Sequence, residues 1–302
     1  MRTPPVRDEE VAAYVASLGL PGIVDLHVHF MPQRVQAKVW AHFDRLDPPW
    51  PIRYRAGEAE RLAILAGLGV RHHTALAYAH RPGMAGWLNE YTLALAAAHP
   101  AVIGSFTFYP EPGVEAEVER ALDAGGMVAK VHLQVGKFHA TDPLLDPVWR
   151  ELARRRVPVV LHAGAVADGS GGEEFCGVPE VARLLDRFPE LVLVIAHLGA
   201  PDFTAFLDLA AATPTLLFDT AMIFGGPEGF WPLPARLGER LGRLGDRVLF
   251  GSDFPSIPLS FADQIAGLAS LGLDGDWLRA VLWRNGARLL GLTRDPDPSS
   301  PR

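Results

Sequence analysis

Gly22-Ile-Val-Asp25-Leu-His27-Val-His29-Phe30 is a short apolar run that ends in two histidines two residues apart. Residues i and i+2 of a strand face the same side. Asp25, His27 and His29 are therefore expected to project together, one rung apart, and two imidazoles so placed can share one metal ion. The run is also the first instance of a repeating pattern. An apolar stretch of strand length, then an amphipathic stretch of helical period, recurs along the chain.

The strand-like runs cover residues 23–28, 70–78, 102–108, 127–133, 157–162, 191–197, 216–220 and 248–251. The helix-like stretches cover 58–68, 87–98, 114–124, 147–155, 179–188, 203–211, 234–244 and 261–271, with a closing pair at 276–281 and 286–290. Several should stop at Gly69, His99-Pro100, Gly125-Gly126 and Gly272. Eight strand–helix units predict an α/β protein with a (β/α)8 TIM barrel as its single domain. A doubly wound open sheet fits less well, because no Gly-x-Gly-x-x-Gly follows the first run. The expected division is an N-terminal helical lead over 1–21, a barrel over 22–292 and a disordered tail over 293–302. Residues 30–57, rich in aromatics and prolines, read as a loop insertion after the first strand that covers the barrel mouth.

Composition narrows the function. The chain has 302 residues, 49% hydrophobic and 21% charged, which fits a globular protein with a large core. A net charge of -7 weighs against a nucleic-acid partner. No apolar run approaches the ~18 residues that span a bilayer, and residues 1–10 hold no apolar signal core. The single cysteine, Cys176, cannot form an internal disulfide. These features lead us to expect a cytoplasmic protein that acts on a small molecule, without a membrane or nucleic-acid partner; a homodimer is compatible with a barrel of this size. Only three of the 28 basic residues are lysines (Lys38, Lys130 and Lys137), so Lys130 stands out within its apolar run.

Polar residues at the ends of the apolar runs carry the chemistry, because such ends converge on one face of a barrel. The fifth run, Val157-Pro-Val-Val-Leu-His162, and the sixth, Val192-Leu-Val-Ile-Ala-His197, both end in histidine. The eighth, Val248-Leu-Phe-Gly-Ser-Asp253, ends in aspartate, and the fourth carries Lys130 and His132, two apart on one face. Singly, a strand-end histidine is more often a core or loop residue, and a strand-end aspartate often caps a helix. Together they suit a metal site, since imidazole nitrogen and carboxylate oxygen are normal zinc ligands. Such a metal lowers the pKa of bound water toward ~7, and a carboxylate beside that water can shuttle its proton.

Asp25-x-His27-x-His29, His162, His197 and Gly251-Ser-Asp253 resemble the amidohydrolase superfamily of metal-dependent barrel enzymes, in the expected order over most of the chain. The opening His27-Val-His-Phe-Met-Pro32, the closing Gly251-Ser-Asp-Phe-Pro255 and Asn285-Gly-Ala-Arg-Leu-Leu-Gly291 are similar to its amidohydrolase-related branch. That branch includes aminocarboxymuconate semialdehyde decarboxylase, resorcylate-type decarboxylases and pyrone-dicarboxylate lactonases. The resemblance implies His27, His29 and His162 as metal ligands, Asp253 as ligand and acid/base, and His197 as the group that orients water or substrate. It implies Zn2+, or Mn2+, with one ion expected in preference to two; in a two-ion site Lys130 would bridge as a carboxylated lysine, and His162 and His197 would hold the second. Otherwise Lys130 and His132 would contact substrate.

The implied reaction is hydrolysis of an amide, lactone or ester-like bond, with non-oxidative decarboxylation as the alternative. A barrel that serves only as a scaffold is disfavoured by the complete ligand set. A metal-dependent deoxyribonuclease is disfavoured by Lys130, which stands where such enzymes carry a glutamate. His72 and His73 read as structural, and His42, His80, His99 and His139 as loop or surface residues. Tyr109, Arg81 and Trp231 are candidates for substrate contact, Asp219-Thr220 for support of the site, and Cys176 reads as incidental within a glycine-rich loop over 169–177 that would cover the site.

Overall fold

The computed structural model describes residues 3–165, 171–225 and 232–292. Its strands are β1 (Ile23–Asp25), β2 (Val70–Thr74), β3 (Val102–Ile103), β4 (Ser105–Thr107), β5 (Val128–His132), β6 (Val159–His162), β7 (Leu193–Ile195), β8 (Leu216–Asp219) and β9 (Val248–Leu249). All pairings are parallel, in the orders β1-β2-β3 and β4-β5-β6-β7-β8-β9. Segments β3 and β4 are one barrel strand interrupted at Gly104, where a Cβ would lie 2.1 Å from the Gly125 carbonyl oxygen. The ring closes between its ends. Leu26 N donates to Phe250 O (2.9 Å), Asp253 N to His27 O (2.7 Å) and His29 N to Phe254 O (2.7 Å). The eight-position barrel predicted by strand–helix alternation is thus present.

Alternation along the strands sorts the core into two layers. Val24, Leu26, Leu76, Ile103, Val128, Val160, Val194, Leu217 and Leu249 fill the barrel interior, where Ala287 and Leu290 join them from the C-terminal helices. Ile23, Ala129, Val131, Leu161, Leu193, Ile195, Phe218 and Phe250 face outward against the helices. On β5 the interior face therefore continues from Val128 to Lys130 and His132; on β6 it runs from Val160 to His162, and on β8 from Leu217 to Asp219.

Two expectations change. Residues 30–57 are not all loop, for Gln33–Phe43 form a helix. That stretch lacks glycine and proline, and Val35 and Val39, one turn apart, pack on Met31, Ala77, Met84 and Leu88. Asp25 also does not share a face with His27 and His29. Val24 and Leu26 lie inside, but Val28 and Phe30 belong to the outer layer, so the alternation resets at a bend at Leu26.

The lead helix Val11–Ser17 packs on the barrel through Val11, Tyr14 and Val15. The closing helices join through a wide turn at Ala280–Arg284 rather than a break. Residues 293–302, read as a tail, lie outside the described residues. Among the described residues no helix is long and apolar enough to cross a membrane.

Candidate metal centre

The polar strand ends meet at the C-terminal mouth of the barrel. His27 and His29 follow the bend after β1, Lys130 and His132 come from β5, His162 ends β6, and Asp219 ends β8. His197 and Asp253 follow β7 and β9 with φ of +55° and +64°. Side chains other than glycine seldom adopt this left-handed region unless their surroundings impose it. Here His197 N is tied to Asp219 Oδ1 (2.9 Å) and Asp253 N to His27 O (2.7 Å). Gly251 leaves room for the cluster, since a Cβ there would lie 2.8 Å from His27 Cβ and 3.2 Å from Asp219 Cβ.

Hydrogen bonds assign the imidazole tautomers. His27 Nδ1–H donates to Asp219 Oδ2 (2.9 Å), His29 Nδ1–H to Leu76 O (3.0 Å) and His197 Nδ1–H to Ala221 O (3.0 Å). Each ring is thus anchored through Nδ1 and leaves Nε2 to face the site, the arrangement that metal-binding histidines use. His132 is the reverse. Its Nδ1 accepts from Val135 N (3.3 Å), which leaves Nε2–H as a donor.

Asp253 Oδ1 lies 3.0 Å from His29 Nε2 and 3.5 Å from His27 Nε2. A carboxylate oxygen so near two imidazole nitrogens suits a shared cation; the Lys130 ammonium already stands 3.3 Å from His27 Nε2, and there is a place for a second positive charge between the rings and Asp253. The donor set fits a divalent ion of zinc type. Among the described residues, ligand atoms of His27, His29 and Asp253 lie within 4.8 Å of one another, as do those of His27, His197 and Asp219. His162 belongs to neither group. Its ring stacks on His132 at 3.8 Å and stands edge-on to His197 at 5.0 Å, because His132 and His162 are register partners on neighbouring strands.

Burial and the neighbouring positive groups push His27, His132 and His162 well below the ordinary imidazole range, so all three are neutral at pH 7. Burial would raise Asp253, but a proton held between its Oδ1 and His29 Nε2, with the His27 and His197 rings close by, keeps it below the ordinary carboxylate range. Lys130 is fully buried, with Nζ 3.3 Å from His27 Nε2. Burial pushes it down to about 8, against the pull of Asp219 and Asp253.

Asp219 does more than its sequence signal suggested, since one carboxylate fixes both the His27 ring and the His197 backbone. Asp25 turns its Oδ1 to His27 N (3.1 Å) and Ser252 N (3.0 Å), bracketing the two ends of the barrel. Tyr78 was missed. Its ring meets His29 edge-on at 5.8 Å and His132 at 5.1 Å; in sequence it only ends an apolar run, where a tyrosine looks like core. His73 is buried and stacks on Phe30. Tyr109 binds Gly136 O through its hydroxyl (3.3 Å), and Arg81 is exposed. Trp231 and residues 166–170 lie outside the described residues; Cys176 is a half-buried thiol pushed up to about 12 by burial.

The Amidohydrolase family model matches residues 24–292, and the chain belongs to that family. Its members are enzymes, hydrolases or decarboxylases, and are typically metal-dependent. No curated protein matches the chain. Among solved structures, an uncharacterised TIM-barrel protein from Bordetella bronchiseptica is 20% identical, with a TM-score of 0.70, over 89% of this chain and 98% of that one. The 5-carboxyvanillate decarboxylase from Sphingomonas paucimobilis is 19% identical, with a TM-score of 0.65, over 90% and 99%. A probable 2-pyrone-4,6-dicarboxylic acid hydrolase from Acinetobacter baumannii is 15% identical, with a TM-score of 0.61, over 89% and 99%.

Proposed function

We propose that the protein is a metal-dependent hydrolase that cleaves an amide, lactone or ester-like bond in a small, carboxylate-bearing substrate. The observation that carries this is the convergence of the His27 and His29 Nε2 atoms on the Asp253 carboxylate. His27, His29 and Asp253 would hold one divalent ion, most simply Zn2+, with His162 as the remaining ligand. When bound, the ion supplies an electrophile for the carbonyl and a water of lowered pKa.

The chain's own residues do the rest. Asp253 accepts the proton of the attacking water and returns it to the leaving group. His197, anchored through Nδ1–H to Ala221 O, offers Nε2 as an acceptor that orients that water. Lys130 Nζ and His132 Nε2–H, both on the interior face of β5, bind the substrate carboxylate.

Non-oxidative decarboxylation is the second reading. The wall formed by Tyr78 and the stacked His132 and His162 rings suits a planar conjugated acid, in which a proton delivered to carbon replaces carbon dioxide. Metal-loaded protein assayed against lactones, amides and aromatic or muconate-type acids separates the two. Ring opening or amide cleavage without carbon dioxide release is the expected result, absent in Asp253→Asn; carbon dioxide release without addition of water overturns hydrolysis in favour of the lyase.

A further inference from the structure

The loop that follows Asp253 is gripped from outside the barrel. Three residues on, Ser256 Oγ accepts Trp40 Nε1–H at 3.1 Å, and its carbonyl accepts Trp50 Nε1–H at 2.9 Å. Gln36 Nε2 approaches the same hydroxyl at 3.5 Å. Gln36 is itself held through Oε1 by Arg61 Nη1 (2.9 Å), whose guanidinium lies 4.6 Å over the ring of Phe30. Further along, Arg53 N donates to Ile257 O (2.8 Å), Tyr54 packs on Phe254 at 4.9 Å, and its hydroxyl accepts from Phe261 N (2.7 Å). The segment 30–54 therefore touches both ends of the candidate centre. It continues covalently from His29 through Phe30, and it holds residues 254–261 by side-chain contacts.

Asp253 is a residue that requires such a hold. Its φ of +64° is left-handed, a conformation that costs an aspartate of order 1 kcal/mol and persists where the surroundings over-determine it. On the barrel side it is fixed by Asp253 N to His27 O, by Phe254 N to Ser252 Oγ (3.1 Å) and by His29 N to Phe254 O. Beyond Pro255, the first polar anchors are the two indoles on Ser256. A shift of this loop would carry the carboxylate away from His27 and His29, and displacements of about 1 Å are enough to disable a site.

We propose that Ser256 is a positioning residue for Asp253, clamped by the Trp40 and Trp50 indole N–H groups so that the carboxylate meets His27 and His29. This rests on the assignment of Asp253 as a metal ligand. Helix Gln33–Phe43 is then part of the centre's rigid frame.

The test uses the full chain as wild type, Ser256→Ala, Ser256→Thr, Trp40→Phe and the Ser256→Ala/Trp40→Phe double variant. Zn2+ affinity is read by competition with a chromophoric chelator, coordination by the visible spectrum of the Co2+ form, and folding by the thermal midpoint. Ser256→Ala and Trp40→Phe should each weaken Zn2+ binding by about tenfold and alter the Co2+ bands. The double variant should be no worse than either single one, because both remove the same bond, and Ser256→Thr should restore wild-type affinity. Folded Ser256→Ala with affinity within about twofold of wild type and unchanged Co2+ bands overturns the proposal; if that variant does not fold, Trp40→Phe reads the same bond. Wild type is titrated first, and failure to bind Zn2+ at all overturns the metal assignment itself and this inference with it.

Discussion

Asp219→Asn should leave the shape of the centre intact while inverting one imidazole. Asp219 is fully buried. Its Oδ1 accepts His197 N (2.9 Å) and Ala221 N (3.1 Å), while Oδ2 accepts His27 Nδ1–H (2.9 Å). An asparagine that keeps its oxygen on the two backbone donors must aim its NH2 at His27 Nδ1. The opposite flip would strand two buried N–H groups, at about 1–3 kcal/mol each. His27 answers by moving its proton to Nε2, which removes the lone pair offered to the ion. Loss of such a carboxylate–histidine pair costs about 10–100-fold in metal affinity, or about 1.4–2.7 kcal/mol. Chelator-competition titration with Zn2+, controlled by the thermal midpoint, measures it. A folded Asp219→Asn protein that binds Zn2+ as tightly as wild type would refute the tautomer assignment and the role of His27 built on it.

Three further outcomes rest on the same geometry. Lys130, pushed down to about 8 by burial, is cationic below that pH and neutral above it. Lys130→Met should raise KM for a carboxylate substrate about tenfold or more at pH 7; an unchanged KM at pH 7 removes its binding role. Gly251→Ala places a methyl group 2.8 Å from His27 Cβ, so it should destabilise by about 1–3 kcal/mol and weaken Zn2+ binding, as thermal melts and titration would show. Asp25 is raised by burial from 3.8 to about 7. Between those values the folded chain keeps a proton that the unfolded chain has released, so this group's contribution to stability falls as pH rises through the window. In chelator-treated protein, Asp25→Asn should gain stability relative to wild type between pH 5 and 7.5 in denaturant titrations; a pH-independent difference counts against the raised carboxyl.

What was legible in the sequence is what depends on local periodicity. Apolar runs ending in His162, His197 and Asp253 marked both the strands and the polar mouth, because alternation places every second residue inside. The reset at Leu26 was not legible, since it arises from pairing with Phe250 and Phe254, more than 220 residues away. That distant pairing is why Asp25 leaves the face it was expected to share. Helix Gln33–Phe43 was hidden among prolines and aromatics that read as loop, and its worth to the site lies in Trp40 reaching Ser256, a contact no spacing encodes. Tautomers belong to the same class: His132 and His27 are both strand-end histidines, and only their partners, Val135 N and Asp219, make Nε2 a donor on one and an acceptor on the other.

The most direct test is a crystal structure of the metal-loaded protein with anomalous differences measured at the zinc edge. One peak, about 2.0–2.2 Å from His27 Nε2, His29 Nε2 and an Asp253 oxygen, with an unmodified Lys130, is the expected result. No peak at that position would contradict the assignment of the centre, and two peaks bridged by a carboxylated Lys130 would contradict the single ion.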